Sequence, residues 1–170
     1  MKAPEVPITA AIRVLRAGRV PFTPHFYDYV DRGGTRHAAA SLRVAEHAVV
    51  KTLVMEADSS AGRKLPLLVL IHGDLEVSTK RLARFLNVKT VSPASEAAVE
   101  KYTGYLPGGV SPFGTRSSLP VYIEQTVLDL ETIYINGGKR GFLIAIQPPE
   151  LTRVLPVVPV AVGISASSRA

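Results

Sequence analysis

Cysteine is absent from the sequence. That excludes a disulfide framework, a thiolate zinc site and a cysteine nucleophile. Long hydrophobic runs are absent too: no stretch approaches the roughly 18 apolar residues of a membrane-spanning helix. The opening "MKAPEVPITAAIRVLRAG" lacks the apolar core of a signal peptide, so a cytoplasmic protein without membrane contact is expected. Histidine is scarce, and His25, His37, His47 and His72 show neither i, i+4 pairing nor an H-E-x-x-H pattern; no metal and no other cofactor is expected. Acidic residues are outnumbered, 14 against 20 Lys plus Arg, for a net charge of +6. Such a surface favours an anionic partner, with nucleic acid the commonest.

What is present suits one globular domain: 46% hydrophobic and 20% charged residues over 170 positions. Ile8, Ala11, Ile12 and Leu15 recur at helical spacing between a Thr9 cap and Gly18. "HFYDYV" then reads as an edge strand. A turn follows, with Thr35 as the expected cap of a helix from about residue 36. "AVVKTLVMEA" and "LPLLVLIHGD" are buried-strand patterns joined as a hairpin. "STKRLARFLN" is an amphipathic helix capped by Ser78, with Leu82, Phe85 and Leu86 on one face and Lys80, Arg81 and Arg84 towards the other. "VKTVS" suggests a short strand, and "SPASEAAVEKYTG" a helix closed at Gly104. "LPVYIE", "LETIYIN" and "GFLIAIQ" are further strands, "PPELTRVL" is a short proline-started helix, and an apolar "PVVPVAVGI" and polar "SASSRA" end the chain. Strands and helices mix without strict alternation, so the expected class is α+β with a mixed, largely antiparallel sheet under surrounding helices.

Three features could carry chemistry. Lys51 shares a strand face with Val49, Leu53 and Met55. It is either a strand-end lysine snorkelling to water or a cation at the mouth of a pocket, acting on an oxygen where the dielectric is low. "GYLPGGVSPFG", residues 104–114, packs four glycines and two prolines around Ser111. It does not fit the G-x-S-x-G elbow of a hydrolase, so Ser111 reads as a turn residue in a loop whose backbone N–H groups can form an oxyanion nest. "NGGKRG", residues 136–141, matches neither a P-loop nor a dinucleotide fingerprint, and by itself is a hairpin turn carrying two cations.

Taken together, "HFYDY", "VVKTLV", "YTGYLPGGVSPFG" and "ETIYINGGKRG", in this order, resemble the YbaK family of aminoacyl-tRNA deacylases, which is related to the editing domain of bacterial prolyl-tRNA synthetases. The resemblance runs over residues 8–155, leaving 1–7 as an N-terminal extension and 156–170 as a C-terminal tail. It implies a sheet curled towards a barrel and hydrolysis of the ester joining a wrong amino acid to tRNA. The wording of the glycine loop resembles most the branch that removes cysteine from tRNA(Pro), in which the substrate's own thiol attacks its ester. Mischarged tRNA, tRNA(Pro) foremost, is the implied partner, with prolyl-tRNA synthetase as a further one; alanine or serine on tRNA, or binding without catalysis, are the alternatives. The resemblance maps Lys51, Gly108 and Gly109 to the catalytic machinery, with an oxyanion nest at the two glycines. Tyr27, Ser111, Gly137, Gly138, Lys139 and Arg140 map to substrate binding, Ser111 shaping the loop or donating one hydrogen bond. Lys80, Arg81 and Arg84 are further candidates for the tRNA backbone. Where the family often carries an acidic residue, two positions after the last hairpin glycine, this chain has Leu143.

Overall fold

The computed structural model describes residues 2–166. Among them are ten strands: β1 (Thr23–Phe26), β2 (Val49–Asp58), β3 (Lys64–His72), β4 (Leu75–Val77), β5 (Thr90–Pro93), β6 (Val121–Glu124), β7 (Ile133–Lys139), β8 (Phe142–Ile146), β9 (Val158–Val160) and β10 (Gly163–Ser165). The α-helices are α1 (Ala10–Ala17), α2 (Gly34–Leu42), α3 (Thr79–Leu86), α4 (Glu96–Thr103) and α5 (Pro148–Val154). No helix among the described residues is long and apolar enough to cross a membrane.

The β-branched run of β2 and the leucine-rich β3 form the expected hairpin, in register from Val50↔His72 to Asp58↔Lys64. Around this pair the main sheet runs β1-β8-β7-β2-β3-β6-β9, with β5 also on β2. Pairings β2–β7, β3–β6 and β6–β9 are parallel and the others antiparallel. This is the mixed, largely antiparallel α+β sheet read from the sequence. It stops short of a barrel, because β1 and β9 end the order without meeting.

Each face of the sheet is covered by an apolar layer. Ile12, Leu15, Leu68, Leu70, Phe113, Ile123, Ile135 and Ile144 form the larger one, together with Leu151 of α5. Met55, Leu67, Val69, Leu82, Val91, Val160 and Val162 form a second beneath α3, and Ala38, Ala39, Val49 and Leu143 a third beneath α2. Burying each large side chain contributes about 1.5–3 kcal/mol.

Local signals place most helix ends. Thr9, Ser78 and Ser95 each accept a hydrogen bond from a first-turn N–H, and Gly104, at φ +77°, closes α4. Two readings are corrected. Thr35 is not a cap: α2 begins at Gly34 after Gly33, and the Thr35 hydroxyl donates instead towards Glu46 Oε1 (2.9 Å) and Gly73 O (3.1 Å). A longer-range carboxylate outcompetes the local N–H. Phe85 is not buried with Leu82; it is 54% exposed with its ring edge towards Tyr122, while the smaller Ala83 faces the sheet. The apolar end of the chain packs on its own domain through β9 and β10, whereas residues 167–170 of the polar terminus lie outside the described residues.

The two glycine-rich stretches lock together. Asn136, 9% exposed, accepts from the N–H groups of Gly138 (2.6 Å) and Lys139 (3.1 Å) through Oδ1, and its amide donates to Lys139 O (3.2 Å) and Gly108 O (3.4 Å). A side chain at Gly109 would sit 2.9 Å from Arg140 N, so the loop backbone approaches the hairpin turn as only glycine allows. Thr9 ties the turn to α1, its hydroxyl donating to Gly137 O at 2.5 Å while it accepts from Ile12 N–H. Thr9→Ala therefore removes both a cap and a tertiary bond, and is expected to cost about 2 kcal/mol in urea unfolding, against about 1 kcal/mol for the simple cap change Ser78→Ala.

Candidate active site

Where α2, β2, the residues after β1 and the 104–114 loop meet, they leave a cavity of about 360 Å³. Its floor is an interrupted strand edge. β2 pairs with β7 only at Val49–Val50 and with β5 only at Met55–Asp58, so Lys51–Val54 has a strand partner on the β3 side alone. Val54 O faces the open side, where it accepts from Ala94 N–H (3.0 Å); by alternation the backbone of Thr52 faces the same side. Thr52 lines the cavity, and its Oγ1 is buried with no hydrogen-bond partner among the described residues.

Lys51 lines the cavity from the third position of the same strand and is half-buried. Its Nζ donates to Leu75 O (2.5 Å), and burial lowers its pKa, opposed by the carboxylates of Glu76, Glu46 and Asp74. Tyr27 stands at the end of β1, where its N–H donates to Gly141 O (3.0 Å) and burial keeps its phenol protonated above the usual range, with Tyr29 adding to the shift. Gly108 lies on the wall at φ +86°, against Tyr29, and Leu143 forms an apolar part of the wall where the family often has an acid.

The structure brings Tyr27, Lys51, Gly108 and Arg140 together around this space. Arg140 donates from Nε to Pro107 O (2.8 Å) and sits 5.2 Å from the Tyr29 ring centre, a cation–π distance. The remaining candidates stand behind this layer. Gly109 is buried and its N–H donates to Leu106 O (2.9 Å), whereas the Gly108 N–H has no hydrogen-bond partner among the described residues. Ser111 is fully buried and does not line the cavity; its Oγ accepts from Phe113 N–H (3.3 Å), which shapes the loop. Gly137, Gly138 and Lys139 build the hairpin turn under the loop and do not line the cavity.

Sequence reasoning missed Tyr29, Thr52 and His37. Tyr29 was visible in the alternation of "YDY", but the chain leaves β1 at Phe26 and the pattern is not that of a strand. His37 is committed structurally, donating from Nε2 to Asp28 O (2.7 Å). His47 and His72 stack at 3.7 Å outside the cavity, His47 against Asp74 and the buried His72 against His47 O and Thr126 Oγ1. No cavity hydroxyl is hydrogen-bonded to an imidazole among the described residues.

Residues 34–154 match the aminoacyl-tRNA editing domain family model. The chain belongs to the aminoacyl-tRNA editing domain family. Its class of reaction is accordingly the hydrolysis of aminoacyl-tRNA, as the motifs implied. An Enterococcus faecalis protein, EbsC, named as a candidate Cys-tRNA(Pro)/Cys-tRNA(Cys) deacylase, is 28% identical over 141 residues, covering 82% of this chain and 84% of that one. Proline–tRNA ligase of Limosilactobacillus fermentum is 27% identical over 105 residues, 62% of this chain but 18% of the ligase. A solved structure described as a candidate trans-editing enzyme for prolyl tRNA synthetase superposes with a TM-score of 0.71 at 22% identity, covering 88% of this chain and 95% of the other. That likeness establishes the shared editing-domain fold.

The lowered pKa of Lys51 has a thermodynamic signature. The folded protein releases this proton more readily than the unfolded chain, so stability relative to Lys51→Met should rise with pH from the lowered folded value towards 10.5, and level off above it. Urea unfolding of both proteins across that window checks the sign.

Proposed function

We propose that the cavity receives the 3′ aminoacyl-adenosine of a mischarged tRNA, cysteine on tRNA(Pro) being the foremost substrate, and hydrolyses its ester without a protein nucleophile. The observation that carries this reading is the composition of the wall: one half-buried ammonium, the Gly108 N–H and an open strand edge, with no Ser–His or Thr–His pair among the described residues. The name of EbsC supports the choice of cysteine.

The open edge at Thr52 offers an N–H and a carbonyl to the main-chain-like part of the substrate, its α-amine and ester. Lys51 holds the ester or ribose oxygen by charge, and the Gly108 N–H points at the oxygen that becomes anionic. The substrate thiol, once deprotonated, attacks its own ester carbon. A C–S bond forms, the ester C–O bond breaks, and the departing ribose oxygen takes up a proton equivalent to the one the thiol gave. Water then opens the resulting thiolactone to free cysteine. The protein supplies orientation, which for well-held reacting groups is worth several kcal/mol. Leu143 places apolar surface where an acid could have acted, which suits a site that leaves proton transfer to substrate and water. Arg140 at the rim, with the exposed Lys139 of the hairpin and Lys80, Arg81 and Arg84 on α3, contacts the tRNA backbone, and a prolyl-tRNA synthetase is the partner that would deliver the mischarged tRNA.

Release of amino acid from Cys-tRNA(Pro) and Ala-tRNA(Pro), measured side by side, tests the reading. Wild type is expected to release cysteine selectively. Lys51→Ala should lose at least 100-fold in rate, about 2.7 kcal/mol or more of transition-state stabilisation, while Ser111→Ala stays within about tenfold, its ΔΔG‡ below about 1.4 kcal/mol. Selective alanine release would move the protein to another amino acid, and binding of tRNA without release would make it a non-catalytic module. The rate on full tRNA should also fall steeply with added salt, and less steeply for Arg140→Ala.

A further inference from the structure

The chain after Leu155 lies beyond the residues matched by the editing-domain model, which end at Val154. It nevertheless reaches the hydrogen-bond partner of Lys51. β9 extends the sheet on β6, and the chain then crosses to lay β10 against β4, with Ile164 opposite Glu76 and Ser165 opposite Leu75. β4 and β10 form a separate two-stranded sheet of three residues each, and so short a ladder is marginal by itself. Its anchor is Glu124, which is 5% exposed. Oε1 accepts from the N–H groups of Val162 (2.8 Å) and Gly163 (2.6 Å), and Oε2 from Thr126 N–H (3.3 Å). The Val162 carbonyl in turn accepts from Ser78 N–H (2.8 Å). Counting from that bond, the backbone of Glu76 faces β10 and that of Leu75 faces away, which leaves Leu75 O free to take the Lys51 ammonium at 2.5 Å.

We propose that Glu124 is a positioning residue for Lys51, acting through the C-terminal strap of residues 158–165: the carboxylate pins Val162 and Gly163, β10 pins β4, and the Leu75 carbonyl fixes the ammonium at the cavity wall. A buried carboxylate is costly unless its oxygens are satisfied, and charge-assisted bonds from backbone N–H groups are among the stronger ones. The strap therefore does not lift without leaving Glu124 unsatisfied. The same strand places Glu76, with Asp74 in the preceding turn and Glu46 before β2, as the acidic groups around Lys51. The importance of Lys51 to the reaction rests on the function proposed above; its positioning by the strap does not.

Two variants separate the strap from general folding. Ile164→Pro removes one N–H from the β10 ladder without touching the core, and Glu124→Gln removes the charge that anchors it. In protein labelled at lysine side chains, with the Lys51 signal assigned by its loss in Lys51→Arg, both variants are expected to shift the Lys51 titration up towards the ordinary 10.5 as water reaches the ammonium. Amide exchange should quicken in β4 and β10 while β2 and β3 stay protected, and deacylation kcat should fall on the order of tenfold with KM little changed. The proposal is overturned if β10 exchanges freely while Lys51 titrates as in wild type, if β10 stays protected in Glu124→Gln, or if the shift appears only together with loss of β2–β3 protection. Should wild type release no amino acid from any tRNA, the function falls, and the titration and exchange still decide the role of Glu124.

Discussion

The carboxamide of Asn136 holds the site together. Both glycine-rich stretches are poor in side chains that could pack, and each would lose much backbone entropy on being ordered separately. Asn136 supplies what they lack: it caps the N–H groups of Gly138 and Lys139 on one side and reaches Gly108 O on the other. With Gly109 pressed against Arg140 N and Thr9 bound to Gly137 O, the two loops and the first helix become one rigid wall. The position of the Gly108 N–H follows from that interlock.

Lys51, on β2, sits under opposing forces. Burial favours the neutral amine, while Glu76, Glu46 and Asp74 favour the ammonium. The Leu75 carbonyl then selects one place for the charge out of the many a flexible lysine can reach. Such a lysine is partly withdrawn from water, and the group that holds its ammonium in place is a backbone carbonyl, which carries only a partial charge.

Much of this was legible in the residues. The β2–β3 hairpin, α1 with its Thr9 cap and α4 with its Gly104 stop follow from periodicity and capping chemistry, which act over a few positions. Errors arose where a distant partner decided the outcome. Thr35 chose Glu46 and Gly73 over its own helix, and Phe85 yielded the sheet-facing place to Ala83 and turned its ring towards Tyr122. Within the site, the motif residues Lys51, Gly108, Tyr27 and Arg140 meet at the cavity, whereas Gly109, Ser111, Gly137, Gly138 and Lys139 act behind it. A pattern of letters does not separate a residue that touches the space from one that shapes its neighbour. The open edge at Thr52 was invisible for a different reason, since it is produced by where β5 and β7 stop pairing rather than by any residue type.

That open edge also bears on how such a site can change. Its groups are peptide N–H and C=O, present whatever side chain occupies the position, and the same holds for the N–H of Gly108. Substitutions in the surrounding walls, at Val110, Ala38 or Leu143, alter volume and polarity without removing a donor or an acceptor. The shape and polarity of the walls are thereby set by residue type, whereas the open peptide groups are set by the course of the backbone, so the first can drift while the second stay in place.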